Sequence, residues 1–580
     1  MVQLIQPPVR ILVLDADMAP ALTIARSLHQ CGLWVDIASH APRPIASYSR
    51  SVRGTLTYPD PTIHAAAFID WLATQMAKTA YTLVIPVTER SVVPIMKHRE
   101  KLPDRGIAMA PASALEVALD KASTLTLANQ LGIPTPRSTA IDQIAQLDMQ
   151  NLALDFPIVV KPARSIGSRD NHLVQLGVSY AFEPNELRAQ VISALRFGSV
   201  ILQEYVQGQG VGIELIADCG QIVYAFQHLR LHEVPLTGGG SSLRTSVAIN
   251  PVLLDASARL MQALAWHGVA MVEFKYNVET GDYRLMEING RFWGSLPLAV
   301  AAGADFPAML YELLVLGKVK PRPAAKLGLY GRKLSSDFAW SEQVLRRDAP
   351  AKLVTLPSRA KILRDWLLVF SPRHHFDIQH WRDLKPGLVD LWRVGRVYGA
   401  RLKILVRDKM LARRLRAAWR NGLVTQRLSK ARGILFLCYG NINRSALAEQ
   451  CFKSNSAGIQ IASASAGFHE EAGRCADPGI VAAAQIHGID MSRCASRTVD
   501  QNMIDAAGII FVMEYQHYRR VAENFPEALG RTFLLSPRGE IGDPYGKSPE
   551  AYEYCARQIV KQVQHIETLL TARQRNESLH

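Results

Sequence analysis

The 580 residues are 48% hydrophobic and 20% charged, a globular rather than a disordered balance, and the length spans several domains. No run approaches the roughly 18 to 20 apolar residues of a membrane span, and seven scattered cysteines without a CxxC pair suit reduced thiols in a cytoplasm, not a disulfide framework. The net charge of +15 admits nucleic acid, an anionic surface or anionic substrates. Eleven Lys or Arg against the single Asp408 between 401 and 432 hold most of the excess, without zinc-ligand or RNA-recognition spacing, so no nucleic acid is expected.

Residues 1–119 alternate short β-rich runs with helical patterns: RILVLDAD, APALTIARSLHQCG, LWVDIAS and, later, YTLVIPVTE. That alternation predicts a parallel α/β sheet. The first apolar run stops at Asp15 and Asp17, as a buried strand does and a secretion signal does not. The turn after it, Asp15-Ala16-Asp17-Met18-Ala19-Pro20, has no glycine to let a pyrophosphate approach, which argues against dinucleotide binding.

From 120 to 319 the pattern becomes α+β. Phe156-Pro157-Ile158-Val159-Val160-Lys161-Pro162 reads as a buried strand with one lysine, costly there unless it meets an anion such as phosphate. Gln203-Glu204-Tyr205-Val206 follows another apolar strand and suits a hinge whose backbone meets an adenine. Val272-Glu273-Phe274 and Leu285-Met286-Glu287-Ile288-Asn289 flank the turn Glu279-Thr280-Gly281-Asp282. In a hairpin Glu273 lies roughly opposite Glu287, and Asn289 shares the face of Glu287. Three hard oxygen donors clustered this way suit Mg²⁺ bridging nucleotide phosphates.

Together with Asp120-Lys121 and Gly132-Ile133-Pro134-Thr135-Pro136, these motifs in this order resemble the ATP-grasp superfamily, of carbamoyl-phosphate-synthase-like or carboxylate–amine ligase type, over residues 1 to about 320. The resemblance implies a pre-ATP-grasp α/β domain (1–119), an ATP-grasp α+β domain (120–319), ATP and Mg²⁺ as cofactors, and small carboxylate and amine substrates. It puts Lys121 and Lys161 on the phosphates, Glu204 and Val206 at the adenine, and Glu273, Glu287 and Asn289 on the metal. Arg291 would stabilise the transferring phosphate or an acyl-phosphate. The phosphate-covering loop, Ala163-Arg164-Ser165-Ile166-Gly167-Ser168-Arg169, has one glycine where several are usual. That feature favours the alternative, an ATP-sensing, non-catalytic module regulating a second enzyme. Thr237 to Ser242 holds three consecutive glycines, readable as a substrate lid or as a plain hairpin turn, and Arg244 beyond it is a candidate carboxylate anchor.

Residues 320–432, rich in Pro, Arg and Trp, read as a basic helical connector. Helices with solvated arginines are the favoured reading, and peripheral contact with an anionic membrane is the alternative.

A fresh βα unit opens at Gly433. Cys438-Tyr439-Gly440-Asn441-Ile442-Asn443-Arg444-Ser445 follows an apolar strand and opens an amphipathic helix. Five residues between Cys and Arg let the backbone curl so that its N–H groups point at one oxyanion at a helix N-terminus. The same field favours thiolate over thiol. Arg444 offers a planar fork to two phosphate oxygens, and Ser445 can donate to the leaving thiolate. Asp543, in Gly542-Asp543-Pro544-Tyr545-Gly546, is the candidate acid for the departing oxygen.

Residues 433 to about 572 thereby resemble a low-molecular-weight protein tyrosine phosphatase, a parallel-sheet α/β domain. Ser465-Ala466-Gly467, Ala476-Asp477-Pro478, Gly488-Ile489-Asp490-Met491-Ser492 and Phe511-Val512-Met513-Glu514 complete the match. It implies a cysteine nucleophile, a phosphocysteine intermediate, no cofactor, and a phosphotyrosine protein or small aryl phosphate as substrate. Two departures stand out. Asn443 replaces the second cysteine of many members, and Tyr545 is a lone aromatic after the acid, which implies a thinner stacking wall.

Overall fold

The computed structural model describes all residues except 1–8, 105, 151, 165, 170–171, 351, 456–460 and 578–580. The chain divides into two compact units, Met1–Gly395 and Arg396–His580, with the division inside the helix Leu384–Arg420.

The first unit opens with four parallel strands in the order Gly54–Thr57, Trp34–Ser39, Arg10–Val13, Leu83–Ile85. Apolar residues run through Arg10–Val13 because both sheet faces are covered, which is why the run does not alternate. Its first turn explains the missing glycines. Asp15, fully buried at φ 54°, turns its carboxylate toward the start of the helix Glu89–Lys97. The carboxylate accepts from the N–H groups of Val87 (3.2 Å) and Thr88 (2.7 Å), from the Ser91 hydroxyl (2.6 Å) and from the Tyr58 hydroxyl (3.0 Å). A protein carboxylate fills the place where a helix N-terminus would hold an anion.

Two antiparallel layers follow. One has the order Ser138–Ile141, Val200–Glu204, Ile158–Pro162, Ser179–Ala181. The other has seven strands in the order Tyr283–Asn289, Gly268–Tyr276, Gln209–Asp218, Gln221–Val234, Gly240–Val247, Tyr330–Arg332, His374–Phe376, the last pair being parallel. Gly268–Tyr276 and Tyr283–Asn289 are the expected hairpin, with Glu273 directly paired to Glu287. The stretch 320–432 supplies helices, including Leu334–Arg346 and Arg359–Leu367, but also the two short strands that end this sheet. Three-residue strands are too short to show an alternating pattern.

The second unit is a parallel sheet in the order Ala462–Gly467, Gly433–Cys438, Ile509–Val512, Thr532–Leu534, flanked by Arg444–Asn455, Pro478–Ile486, Tyr515–Asn524 and Pro549–Glu577. Phe436 and Phe511 stack at 6.0 Å between ring centroids in its core, each buried phenyl contributing about 1.5–3 kcal/mol. The parallel order puts the carboxyl ends of the strands on one edge, where Cys438 ends its strand.

None of the seven cysteines is in a disulfide. Among the described residues no single helix is long and apolar enough to cross a membrane.

Candidate active sites

The Cys438–Ser445 loop is held from beneath by side chains as well as by its own backbone. Asn441 takes a left-handed conformation, φ 52°, which turns its N–H onto the Cys438 sulfur at 3.2 Å. Its side-chain amide donates to the hydroxyls of Ser445 and Ser465, each at 2.9 Å, and its carbonyl oxygen accepts from the Arg497 N–H at 2.8 Å. Ser465 in turn donates to Glu449 at 2.6 Å, and Glu449 also pairs with Lys453 (2.6 Å) and Arg497. The Ser445 hydroxyl lies 3.0 Å from Cys438 Sγ, placed to stabilise a thiolate. Gly467 underlies the loop. A Cβ there would sit 2.6 Å from the Tyr439 carbonyl oxygen and 2.9 Å from the Asn441 nitrogen, so the approach needs glycine.

Arg444 is almost fully buried. Its guanidinium meets Glu514 at 2.8 Å, Asp543 at 2.8 Å and the Ile541 carbonyl at 2.9 Å. Burial works against the cation, yet the charges of Cys438, Asp543 and Glu514 outweigh it and raise its pKa. Asp543 is thus brought to the cradle from a loop far along the chain. Behind the cradle the His517 ring is buried, and desolvation together with the Arg444 charge pushes its pKa down to about 3, so it stays neutral. Tyr545 is exposed, and Tyr439, beside the cysteine, is a second exposed aromatic with Arg520 5.0 Å from its ring centroid.

The sequence-predicted residues of the first unit converge on one cavity of about 600 Å³. Lys121, Lys161, Glu204, Val206, Glu273, Glu287, Asn289 and Arg291 all line it. The Asn289 amide bridges Glu273 (3.0 Å) and Glu287 (3.2 Å). Both carboxylates are partly buried. Desolvation and the neighbouring Glu287 raise the Glu273 pKa against the pull of Arg230, whereas Lys121, Lys161 and Arg291 overcome desolvation to lower that of Glu287. Lys161 donates to the Gln203 side chain at 2.6 Å, and burial pushes it down to about 8 despite the nearby Glu287. Glu204 lines the cavity, and its carboxylate accepts from the Arg137 N–H (2.9 Å) and guanidinium (2.7 Å). Arg291 pairs with Glu89 at 3.2 Å.

Sequence reasoning left three sets of contacts unassigned. Glu514 looked like the end of a strand, yet it shares the Arg444 fork with Asp543. Arg230 pairs with Glu273 at 2.5 Å inside the cavity, where Lys275 and Glu233 also meet at 3.2 Å. Glu214, fully buried, accepts from Ser295 at 2.5 Å and lies 2.8 Å from His228. His228 and Arg230 alternate on one strand, a two-residue spacing that could have shown a shared face. Arg244 is a correction. It is fully buried and donates to Asp377 at 2.6 Å, an internal ion pair and not a cavity anchor. The Thr237–Ser242 glycines form the turn between two paired strands, and residues 237–241 also line the cavity. Of the phosphate-covering loop, Ser165 and the side chains of 166–169 lie outside the described residues.

Comparison with known proteins agrees with both halves. A family model described as "ATP-grasp in the biosynthetic pathway with Ter operon" matches residues 196–334. The model "Low molecular weight phosphotyrosine protein phosphatase" matches 433–576. The low molecular weight protein-tyrosine-phosphatase Etp of Escherichia coli is 33% identical over 128 residues, 22% of this chain and 85% of that protein. A probable phosphatase of the same kind, EpsP of Ralstonia nicotianae, is 30% identical over 132 residues, 22% of this chain and 90% of that protein. Among solved structures, an L-amino acid ligase from Bacillus licheniformis matches 55% of this chain and 78% of its own at 16% identity, TM-score 0.41. Residues 196–334 of the first unit match the ATP-grasp family model, and through its second unit the chain belongs to the low molecular weight phosphotyrosine protein phosphatase family.

Proposed function

We propose that the chain is bifunctional. In this reading residues 1–119 and 120–319, their sheet completed by the strands Tyr330–Arg332 and His374–Phe376, form an ATP- and Mg²⁺-dependent ligase of carboxylate–amine type, and 433–572 hydrolyse phosphotyrosine or aryl phosphates through a phosphocysteine. The observation that carries the ligase half is the convergence of Lys121, Lys161, Glu273, Glu287, Asn289 and Arg291 on one cavity. Glu273 and Glu287, bridged by the Asn289 side chain, suit a hard divalent cation, which would relieve their mutual repulsion. Bound Mg²⁺ would supply charge neutralisation for nucleotide phosphates. The protein's part is positional. Lys161 and Lys121 hold phosphate oxygens, the Glu204–Val206 backbone meets the base, Arg291 steadies the transferring group, and the cavity wall excludes water.

In the second unit Cys438 attacks phosphorus as a thiolate while the loop amides and Arg444 hold the equatorial oxygens. Asp543 gives its proton to the departing oxygen, then takes one from the water that cleaves the phosphocysteine. Ser445 stabilises the thiolate as it leaves. Glu514 keeps the Arg444 fork oriented between substrates. Seven cysteines, none in a disulfide, suit both activities to a reducing cytoplasm.

One experiment separates the halves. ADP release is measured over a panel of amino acids and small carboxylates, beside p-nitrophenyl phosphate hydrolysis, with and without EDTA. EDTA should stop ADP release and leave the hydrolysis intact. ATP binding with no acceptor-dependent ADP release would sink the ligase half and leave an ATP-sensing module.

A further inference from the structure

The helix Leu384–Arg420 enters the second unit at Arg396 and changes character near residue 411. Beyond that point Leu415 and Ala418 are buried in the phosphatase core, Leu411 and Trp419 pack against it, and the Trp419 indole donates to the Leu534 carbonyl at 2.9 Å. Before it, residues 401–407 are exposed around the whole circumference of the helix. Val397, Leu402, Ile404, Leu405, Val406 and Met410 leave 48–64% of their surface open.

Contiguous apolar surface facing water marks a site of interaction. At 100° per residue, Tyr398, Leu402, Leu405 and Val406 share one face of the helix, and Lys409 and Arg413 continue that same face. The single acid among the eleven cations of 401–432, Asp408, is turned to Arg519 at 3.5 Å. One turn further on, Arg413, Arg414, Arg416 and Arg420 line a cavity of about 660 Å³ with Ala417 and Pro537, and among the described residues no carboxylate is in the lining.

We propose that this helix docks the second unit on the surface of an anionic membrane. The aliphatic side chains of 397–410 enter the headgroup–acyl boundary, the cations beside them meet lipid phosphates, and the arginine-lined cavity takes a phosphate-bearing headgroup. Charge complementarity selects this occupant. A second copy of the chain would bring cation against cation along the helix. A nucleic acid would satisfy the arginines and leave the aliphatic face in water. An anionic bilayer covers both at once.

The test is co-sedimentation of the full-length protein with phosphatidylcholine vesicles, with and without about one third phosphatidylserine. Binding to the anionic vesicles alone, weakening as salt rises, is the expected result. Leu402→Ser with Leu405→Ser should weaken it at least tenfold, and Arg413→Gln with Arg414→Gln by about fivefold per cation removed. Hydrolysis of p-nitrophenyl phosphate should be unchanged in both variants, which shows the second unit folded. Equal binding to neutral vesicles, no vesicle binding, or wild-type binding by the leucine variant each overturns the proposal. So does duplex DNA binding without vesicle binding, or a leucine variant whose sole change in sedimentation velocity is loss of a dimer.

Discussion

The two anion sites solve one problem by different means. In the proposed reading the anion of the second unit is met mainly by backbone. A contiguous octapeptide curls on itself, Asn441 and Gly467 fix the curl, and a single cation, Arg444, completes it. In the first unit the ligands are side chains drawn from five separate strands and loops, and they neutralise one another: Glu273 with Arg230, Arg291 with Glu89, Lys161 beside Glu287. A backbone cradle is ready before its ligand arrives. A cavity of opposed charges must exchange internal partners for nucleotide and metal, so its affinity depends on protonation.

Removing the nucleophile gives the largest contrast. Cys438→Ser should cut phosphatase turnover by at least about 10⁴-fold while inorganic phosphate still binds, because the cradle is amide and guanidinium. Loss of phosphate binding as well would mean that the sulfur organises the loop. Asp543→Asn should lower turnover about 10²- to 10⁴-fold on aryl phosphates with poor leaving groups, and far less on p-nitrophenyl phosphate. Equal losses on the two substrates would remove Asp543 from the acid role.

In the first unit Lys161→Met should weaken ATP binding about 10- to 100-fold by calorimetry. The binding form is the ammonium, and burial holds its pKa near about 8, so ATP affinity of the wild type should fall as pH rises through about 8. Glu273 works in the opposite sense. Its raised pKa means that protons compete with a divalent cation at a higher pH than for an ordinary carboxylate, so metal affinity should fall on acidification. A pH-independent ATP affinity would show that Lys161 does not face the phosphates.

Gly467→Ala should destabilise the second unit by about 1–3 kcal/mol, seen as a lower Tm, since the added methyl overlaps the Tyr439 carbonyl. Arg137→Ala should shift the Tm least, because the guanidinium that pairs with Glu204 and Asp155 is exposed.

The contrast also explains what was legible in sequence. Cys438 to Ser445 carries its chemistry in eight adjacent letters, and so it reads directly. The hairpin register of Glu273 and Glu287 followed from a turn and two alternating runs. Arg244 misled because a strand arginine has the same local pattern whether it faces a cavity or a buried Asp377, and the partner lies 133 residues away, just past an unrecognised strand. Glu514 was invisible for the same reason: its partner Arg444 is adjacent only in space. Local periodicity reports which face a residue occupies, but not what waits opposite that face.

The buried Asp15 carboxylate makes the opening α/β layer carry its own counter-ion. A helix N-terminus that is already neutralised gains nothing from phosphate in the buffer. The layer should therefore act as a ligand-indifferent girder, and its hydrogen-exchange protection should not respond to phosphate or dinucleotide concentration. Replacing that aspartate by glycine would reverse the economy of the turn, trading a permanent internal anion for an exchangeable one. The melting point of the first unit would then climb with added phosphate where the wild type stays level.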